Sequence, residues 1–327
     1  MPQWLRLVLL VSYLVPASAA SAGEADARLR LARMHAAANE RNYQGTMVFT
    51  AGGVVSSSRV AHFCVGEQSF ERIESLDGRM QKIYRHNETV HTLWPQSNVA
   101  VIEKREALSA QAPLVPTVEP RALEQYGLIA EGRDRIAGRE AEVFLLQPVD
   151  DLRYPQRLWA DLASGLMLRA DVIGPGKTVL ESSAFSEVEI GIKPQPETVL
   201  QPLRKLSGYK VLRAQFERTQ LEAEGWTMAR ALPGFRLTSC VKRPLEALTA
   251  ADGRASEPVL QAVFSDGLTH VSLFIERFDG ARHRKDVQAQ LGATSALMER
   301  RGEFWLTAMG DVPAPTLRRL LDALARR

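Results

Sequence analysis

Apolar and polar residues alternate through most of the first half of this chain. The clearest run covers residues 70–105, FERIESLDGRMQKIYRHNETVHTLWPQSNVAVIEKR. In it Ile73 and Leu76, Ile83, then Val90, Thr92 and Trp94, then Val99 and Val101 recur at the period of two that lets a sheet bury one face and wet the other. With a turn at Asp77-Gly78, this predicts short strands over 70–76, 81–85, 89–94 and 98–103, a meander. A further β-run over 43–65 is broken at Gly52-Gly53. Five more strands are expected at 141–146, 156–162, 166–173, 178–185 and 188–192, with turns at Ser164-Gly165 and Gly174-Pro175-Gly176.

Helical spacing is rare. Leu31, Met34 and Ala38 share one face of a helix over 24–41, and Glu24 and Asp26 stand at its amino end, where the dipole favours acids. Pro113, Pro116 and Pro120 remove ladder donors from 107–127, which predicts a strand-free flap with a short helical turn at 121–126. Pro194, Pro196 and Pro202 mark the exit from the strands into a linker over 194–222. A second unit over 223–327 follows, with a strand at 236–241, hairpins around Asp266-Gly267 and Arg301-Gly302, and a helix over 316–324 striped by Leu317, Leu320, Leu321 and Leu324. The fold class expected is α+β, mainly antiparallel β. A large curved open-barrel sheet with helices occupies 23–193 and a smaller α+β carboxy-terminal domain completes the chain.

Composition refines this picture in three places. The first 22 residues contain Arg6, an apolar run over 7–15, Pro16 and then small residues, the layout of a cleavable export signal, and that run is too short to cross a bilayer that needs about 20 residues. The formal charge is only +3, and losing Arg6 with the leader leaves +2, which gives no case for nucleic-acid binding. An anionic partner must therefore be met by local patches, for which Arg72, Arg79, Lys82 and Arg85 in the first unit and Arg236, Lys242 and Arg243 in the second are the candidates. Finally, Cys64 and Cys240 could pair across the two domains in an oxidising compartment, or each could be a small buried side chain.

No constellation of catalytic residues is visible. Gly174 to Thr178 looks like the end of a phosphate loop, but its first glycine would fall at Asp171. His86 and His91 have no Cys or acid at metal spacing, and Asp150-Asp151 and Asp161 fit turn chemistry. With no G-x-S-x-G or H-E-x-x-H, no enzyme, metal or cofactor is expected. What remains is binding. If the sheet curls, Met47, Phe49, Leu93, Trp94, Trp159, Leu166 and Met167 are the large apolar residues that could line a lipid cavity, unless they pack against one another.

The segments ERIESLDG, Arg85-His86-Asn87 and VIEKR, the block IAGREAEVFLLQPVDDLRYPQRLWADLASGLMLRADV, and Leu232-Pro233-Gly234-Phe235 leading to Lys242-Arg243-Pro244 resemble the RseB/MucB family of periplasmic regulators, over nearly the whole mature chain. The resemblance implies an amino-terminal domain similar to the lipoprotein carriers LolA and LolB, and a periplasmic location. It implies binding to the periplasmic domain of a membrane anti-sigma factor (RseA or MucA), shielding it from site-1 proteolysis. Release by lipopolysaccharide or lipoprotein acyl chains is implied as well, and a homo-oligomer is a further partner state. A lipid or lipoprotein carrier is the alternative reading. Two departures from the family pattern are Pro155 after Arg153-Tyr154 and Cys240 before the basic pair.

Overall fold

The computed structural model describes residues 18–104, 117–213, 216–244, 258–283 and 285–327. Most of the expected leader and the proline-rich start of the flap lie outside the described residues. Helix α1 (Ser18–Glu40) opens the described chain. Six strands follow in a meander: β1 (Tyr43–Ala51), β2 (Val54–Val65), β3 (Gln68–Ser75), β4 (Lys82–His86), β5 (Thr89–Trp94) and β6 (Val99–Lys104). After a 3-10 turn at Pro120–Glu124 comes a second meander of β7 (Tyr126–Ile136), β8 (Arg139–Pro148), β9 (Gln156–Asp161), β10 (Met167–Ile173) and β11 (Val179–Ile190).

The two meanders are fused along one seam. The first and last strands, β1 and β11, pair antiparallel from Tyr43↔Ile190 to Ala51↔Glu181. The stretch expected to be a linker is itself structured. It forms α2 (Glu197–Arg204) and then β12 (Lys210–Arg213), which pairs parallel with β6 and makes a 12-stranded sheet whose edges are β12 and β7.

Each face of the curved sheet has its own core. On β2, Val60 belongs to the cluster under α1, whereas Ala61 and Phe63 belong to the cluster around Val199 of α2, so alternation sends the two helices to opposite faces. Leu31, Met34 and Ala37 of α1 lie among Phe144, Leu158 and Ala170, register partners across β8, β9 and β10. Arg33 fixes the helix by donating to the carbonyls of Leu162 and Ala163 at 2.7 and 2.8 Å.

The second domain is a seven-stranded sheet of β13 (Glu217–Arg218), β15 (Arg236–Pro244), β16 (Pro258–Ser265), β17 (His270–Arg277), β20 (Phe304–Gly310), β19 (Thr294–Arg301) and β18 (Val287–Leu291), in that order. The short strands β14 (Trp226–Met228) and β21 (Leu324–Arg326) pair beside it. The helix read from the leucine stripe is α3 (Ala314–Ala323), with Leu317, Leu320 and Leu321 fully buried.

Candidate functional site

The two domains interlock. Leu152, in the β8–β9 loop of the first, is buried in the core of the second, and Leu268, in the β16–β17 turn of the second, packs on the core of the first. Between these exchanged leucines lies a buried polar hub. Arg153 and Asp266 have fully buried side chains and pair at 2.6 Å. The same guanidinium donates to Asp150 and to the carbonyl of Pro233, and stacks 4.6 Å from the Phe235 ring. Asp266 also accepts the Tyr126 hydroxyl and the amides of Leu268 and Thr269. Burial, with the Asp266 charge as the next cause, holds the Tyr126 phenol neutral far above its ordinary range. Around the hub the Glu119 amide donates to the Gly267 carbonyl, Arg121 to the Ser265 carbonyl and Thr316 to the Leu152 carbonyl. Gly267 (φ +100°) has no room for a side chain, since a Cβ there would stand 2.8 Å from Arg121.

A second junction lies at the same end of the sheet, where Val172 of β10 pairs with Gln156, next to the hub loop, and with Glu181. Glu181 of β11 faces the turn between β18 and β19, where it accepts the backbone amides of Ala293 and Thr294 and approaches the Thr294 hydroxyl, which donates to Asp311. Burial first and the Asp311 charge second push its carboxyl up to about 7. In the folded protein Glu181 therefore keeps its proton above the ordinary value of 4.5, and its contribution to stability, complete below that value, is lost as pH rises through about 7. We expect thermal unfolding to shift downward between pH 5 and pH 7.5 by an amount that Glu181→Gln reduces; an equal shift in the variant would show that Glu181 is not the group responsible.

Strand β15 bridges the two lips of the curved sheet. Arg236 at its start pairs at 2.6 Å with Glu124, beside edge strand β7, and Arg243 near its end approaches within 4.0 Å of Glu103 on β6, next to the opposite edge. Burial raises the Glu103 carboxyl and Arg243 opposes the rise. Along the same end of β2 to β6 runs a buried polar row. The Glu71 carboxylate takes Arg85 at 2.9 Å and stands 3.6 Å from His62.

Most of the basic candidates are engaged within the chain. Lys82 pairs with Glu74, Arg85 with Glu71, Arg236 with Glu124, Lys242 with Glu224 and Arg243 with Glu103, while Arg72 is half-buried beside Tyr84. Among the described residues only Arg79 of the seven is both exposed and without an acid partner. Two of the pairs that the sequence could not show, Arg236 with Glu124 and Arg243 with Glu103, are contacts between domains.

The seven apolar candidates do not line one cavity. Leu166 and Met167 are sealed in the core beneath α1, with Met47 packed at its margin. Leu93 belongs to the cluster under α2, on the other face. Trp159 alternates with Leu158, donates to Asp134 at 3.0 Å and is covered by the Arg169 guanidinium 4.5 Å above its ring. Trp94 is half-buried and Phe49 is 43% exposed. Two helices filling the two faces account for this distribution. Of the two states open to the cysteines, the structure has the unpaired one. Both thiols are free, Cys64 beside His62 and the Asn39 carbonyl, Cys240 in the core of the second domain, where burial pushes its thiol up to about 11. Among the described residues no cluster of His, Cys, Asp and Glu could hold a metal, and no helix is long and apolar enough to cross a membrane.

Both domains are similar to those of known proteins. The MucB/RseB N-terminal domain matches residues 26–203 and the MucB/RseB C-terminal domain matches 220–325. The chain belongs to the MucB/RseB family. Members of this family are regulatory binding proteins and not enzymes. The sigma-E factor regulatory protein RseB of Haemophilus influenzae is 25% identical over 323 residues, covering 99% of this chain and 98% of the relative. The sigma factor AlgU regulatory protein MucB of Pseudomonas aeruginosa is 29% identical over 320 residues, covering 96% and 95%. A crystal structure of MucB in complex with MucA(peri) superposes with a TM-score of 0.68 at 25% identity, over 92% of this chain and 99% of that one.

Arg153 lies in the Arg153-Tyr154 match and Asp266 in a hairpin turn, and their shared role as a hub was missed. The signal available was charge in two apolar contexts, Leu152-Arg153-Tyr154 and Phe264-Ser265-Asp266.

Proposed function

We propose that this chain is a periplasmic negative regulator of an extracytoplasmic sigma factor. It binds the periplasmic segment of a membrane anti-sigma factor and withholds that segment from its first cleavage. The observation that carries the reading is the match of both family domains across the described chain, with MucB in its MucA complex as a full-length structural relative. Lipopolysaccharide or lipoprotein acyl chains are the releasing ligand in this reading, acting through linkage. A ligand that prefers the unbound form by about 5.5 kcal/mol swings the complex from almost fully formed to almost fully released. Because the α1 face is filled by the protein's own side chains, acyl chains would enter where α1 lies only by displacing it.

The test is protection of the isolated anti-sigma segment from the site-1 protease, with and without added lipid. The full chain should protect the segment and lipid should abolish protection; a segment cleaved equally fast in the presence of the protein would refute the reading. Removing residues 226–327 is a poor control, since it strands Arg153 without Asp266. Arg236→Glu is a cleaner probe. It exchanges an exposed pair worth at most about 1 kcal/mol for repulsion against Glu124 at the bridge between domains. We expect segment affinity to fall about tenfold with little change in melting temperature, and isothermal titration checks both halves of that statement.

A further inference from the structure

Among the described residues, five of the twelve large exposed apolar side chains stand on adjacent connections at one end of the large sheet. Because β3 lies beside β2, β1 beside β11 and β11 beside β10, the β3–β4, β1–β2 and β10–β11 connections stand next to one another at that end. The first carries Leu76 and Met80, 47% and 44% exposed, the second leads into Val54 and Val55, each 62% exposed, and the third into Val179, 50% exposed. Solvated hairpin ends are ordinarily built from polar turn residues, so five large apolar side chains on three adjacent tips need an explanation.

The charges around them point in one direction. Arg79 and Lys177 are exposed at the same tips. The one acid within these turns, Asp77, is occupied by the amide and hydroxyl of Ser57. Glu181, just beyond the third tip, faces the second domain. The tip backbones are also partnered. The Leu76 amide donates to the Ser57 carbonyl, the Ser75 amide to Gln81 and the Gly174 amide to Thr178. Two of the tips, at Gly53 and Val179, share a shallow depression with Gln290 and Gly292 of the second domain, and the third stands beside them. A soft layer that offers hydrocarbon beneath a negatively charged surface matches exposed apolar side chains flanked by two cations.

We propose that the three tips dock the protein onto an anionic phospholipid bilayer, with Val54, Val55, Leu76, Met80 and Val179 entering the acyl boundary and Arg79 and Lys177 meeting lipid phosphates. This surface borders the junction between domains, where Gly52 lies against Leu291, and it holds the protein where a membrane-tethered partner emerges.

The test uses the full mature chain and sedimentation with vesicles of phosphatidylethanolamine and phosphatidylglycerol, against vesicles of phosphatidylcholine alone. Val54→Asp/Val55→Asp/Met80→Asp removes the apolar contact and Arg79→Glu/Lys177→Glu the electrostatic one. Val54→Thr/Val55→Thr retains the β-branched shape should the first variant fold poorly. The expected result is binding to the anionic vesicles, weakened at least tenfold by the aspartate and charge-reversal variants and partly by the threonine variant, with melting temperatures of the charge-reversal and threonine variants unchanged. Wild-type protein that ignores anionic vesicles, or folded variants that bind them undiminished, would overturn the proposal. So would variants that lose the anti-sigma segment while the wild type shows no vesicle binding, which would give the tips to a protein partner. Failure of the protease-protection experiment alone would leave the vesicle result standing.

Discussion

Asp266→Ala should be the most damaging substitution in the interface between domains. It leaves the Arg153 guanidinium, fully buried and stacked on Phe235, without its 2.6 Å partner and frees the Tyr126 hydroxyl and two amides as well. Removing one member of a buried ion pair costs about 3–5 kcal/mol, because the remaining charge cannot be hydrated where it stands. Urea unfolding should show a loss of that size, and calorimetry should resolve two transitions where the interlocked protein gives one. The paired substitution Arg153→Met/Asp266→Leu should recover only the part of the loss that comes from the stranded guanidinium, since the Tyr126 hydroxyl and the two amides stay without Asp266. A destabilisation under about 1 kcal/mol for Asp266→Ala would mean that the exchanged leucines, and not the hub, couple the domains.

Gly45→Ala should be nearly as severe for a different reason. Gly45 lies in β1 opposite Val188 of β11, beside an irregularity in the ladder at Thr46/Met47. A Cβ at this position would stand 2.2 Å from the Glu187 carbonyl oxygen and 3.0 Å from the Val188 Cα. The obstacle is backbone, so it cannot swing aside, and the seam that fuses the two meanders must open locally. Forcing extra volume into such a site costs about 1–3 kcal/mol and sometimes more. The same substitution at Gly53, where nothing lies within 4 Å, tests only the positive φ and should cost about 1 kcal/mol. Comparable losses at the two positions would contradict the steric account.

The strands were legible where one face is wet and the other dry. Residues 89–94 alternate cleanly and are β5, and 98–103 differs from β6 by one residue at each end. The longest miss is β7, YGLIAEGRDRI, an edge strand of which only Tyr126 is buried, so that no alternation exists to be read. Residues 178–185 and 188–192, read as two strands, are the single strand β11 with an irregularity opposite Thr46/Met47. The stretch 194–222 was read as linker because prolines at 194, 196 and 202 outweighed the apolar spacing of Val199, Leu200 and Leu203, yet Pro196 stands at the cap of α2 and Pro202 in its last turn. The site was less legible than the fold. A sequence shows that Arg243 is basic, but not that Glu103 lies 4.0 Å away on another domain. Pairings of that kind depend on register and on how two sheets meet, and local pattern carries neither.

The seam between β1 and β11 also dictates how the chain must come together in time. Strand β1 is made early, yet one of its two neighbours, β11, follows only after the whole second meander, with Tyr43 waiting for Ile190. Loop closure over that separation makes assembly slow compared with zipping local hairpins. Until it happens, the YQGTMVF edge of β1 is open to any extended chain nearby, and crowded expression should favour aggregation through this strand over aggregation through the carboxy-terminal domain.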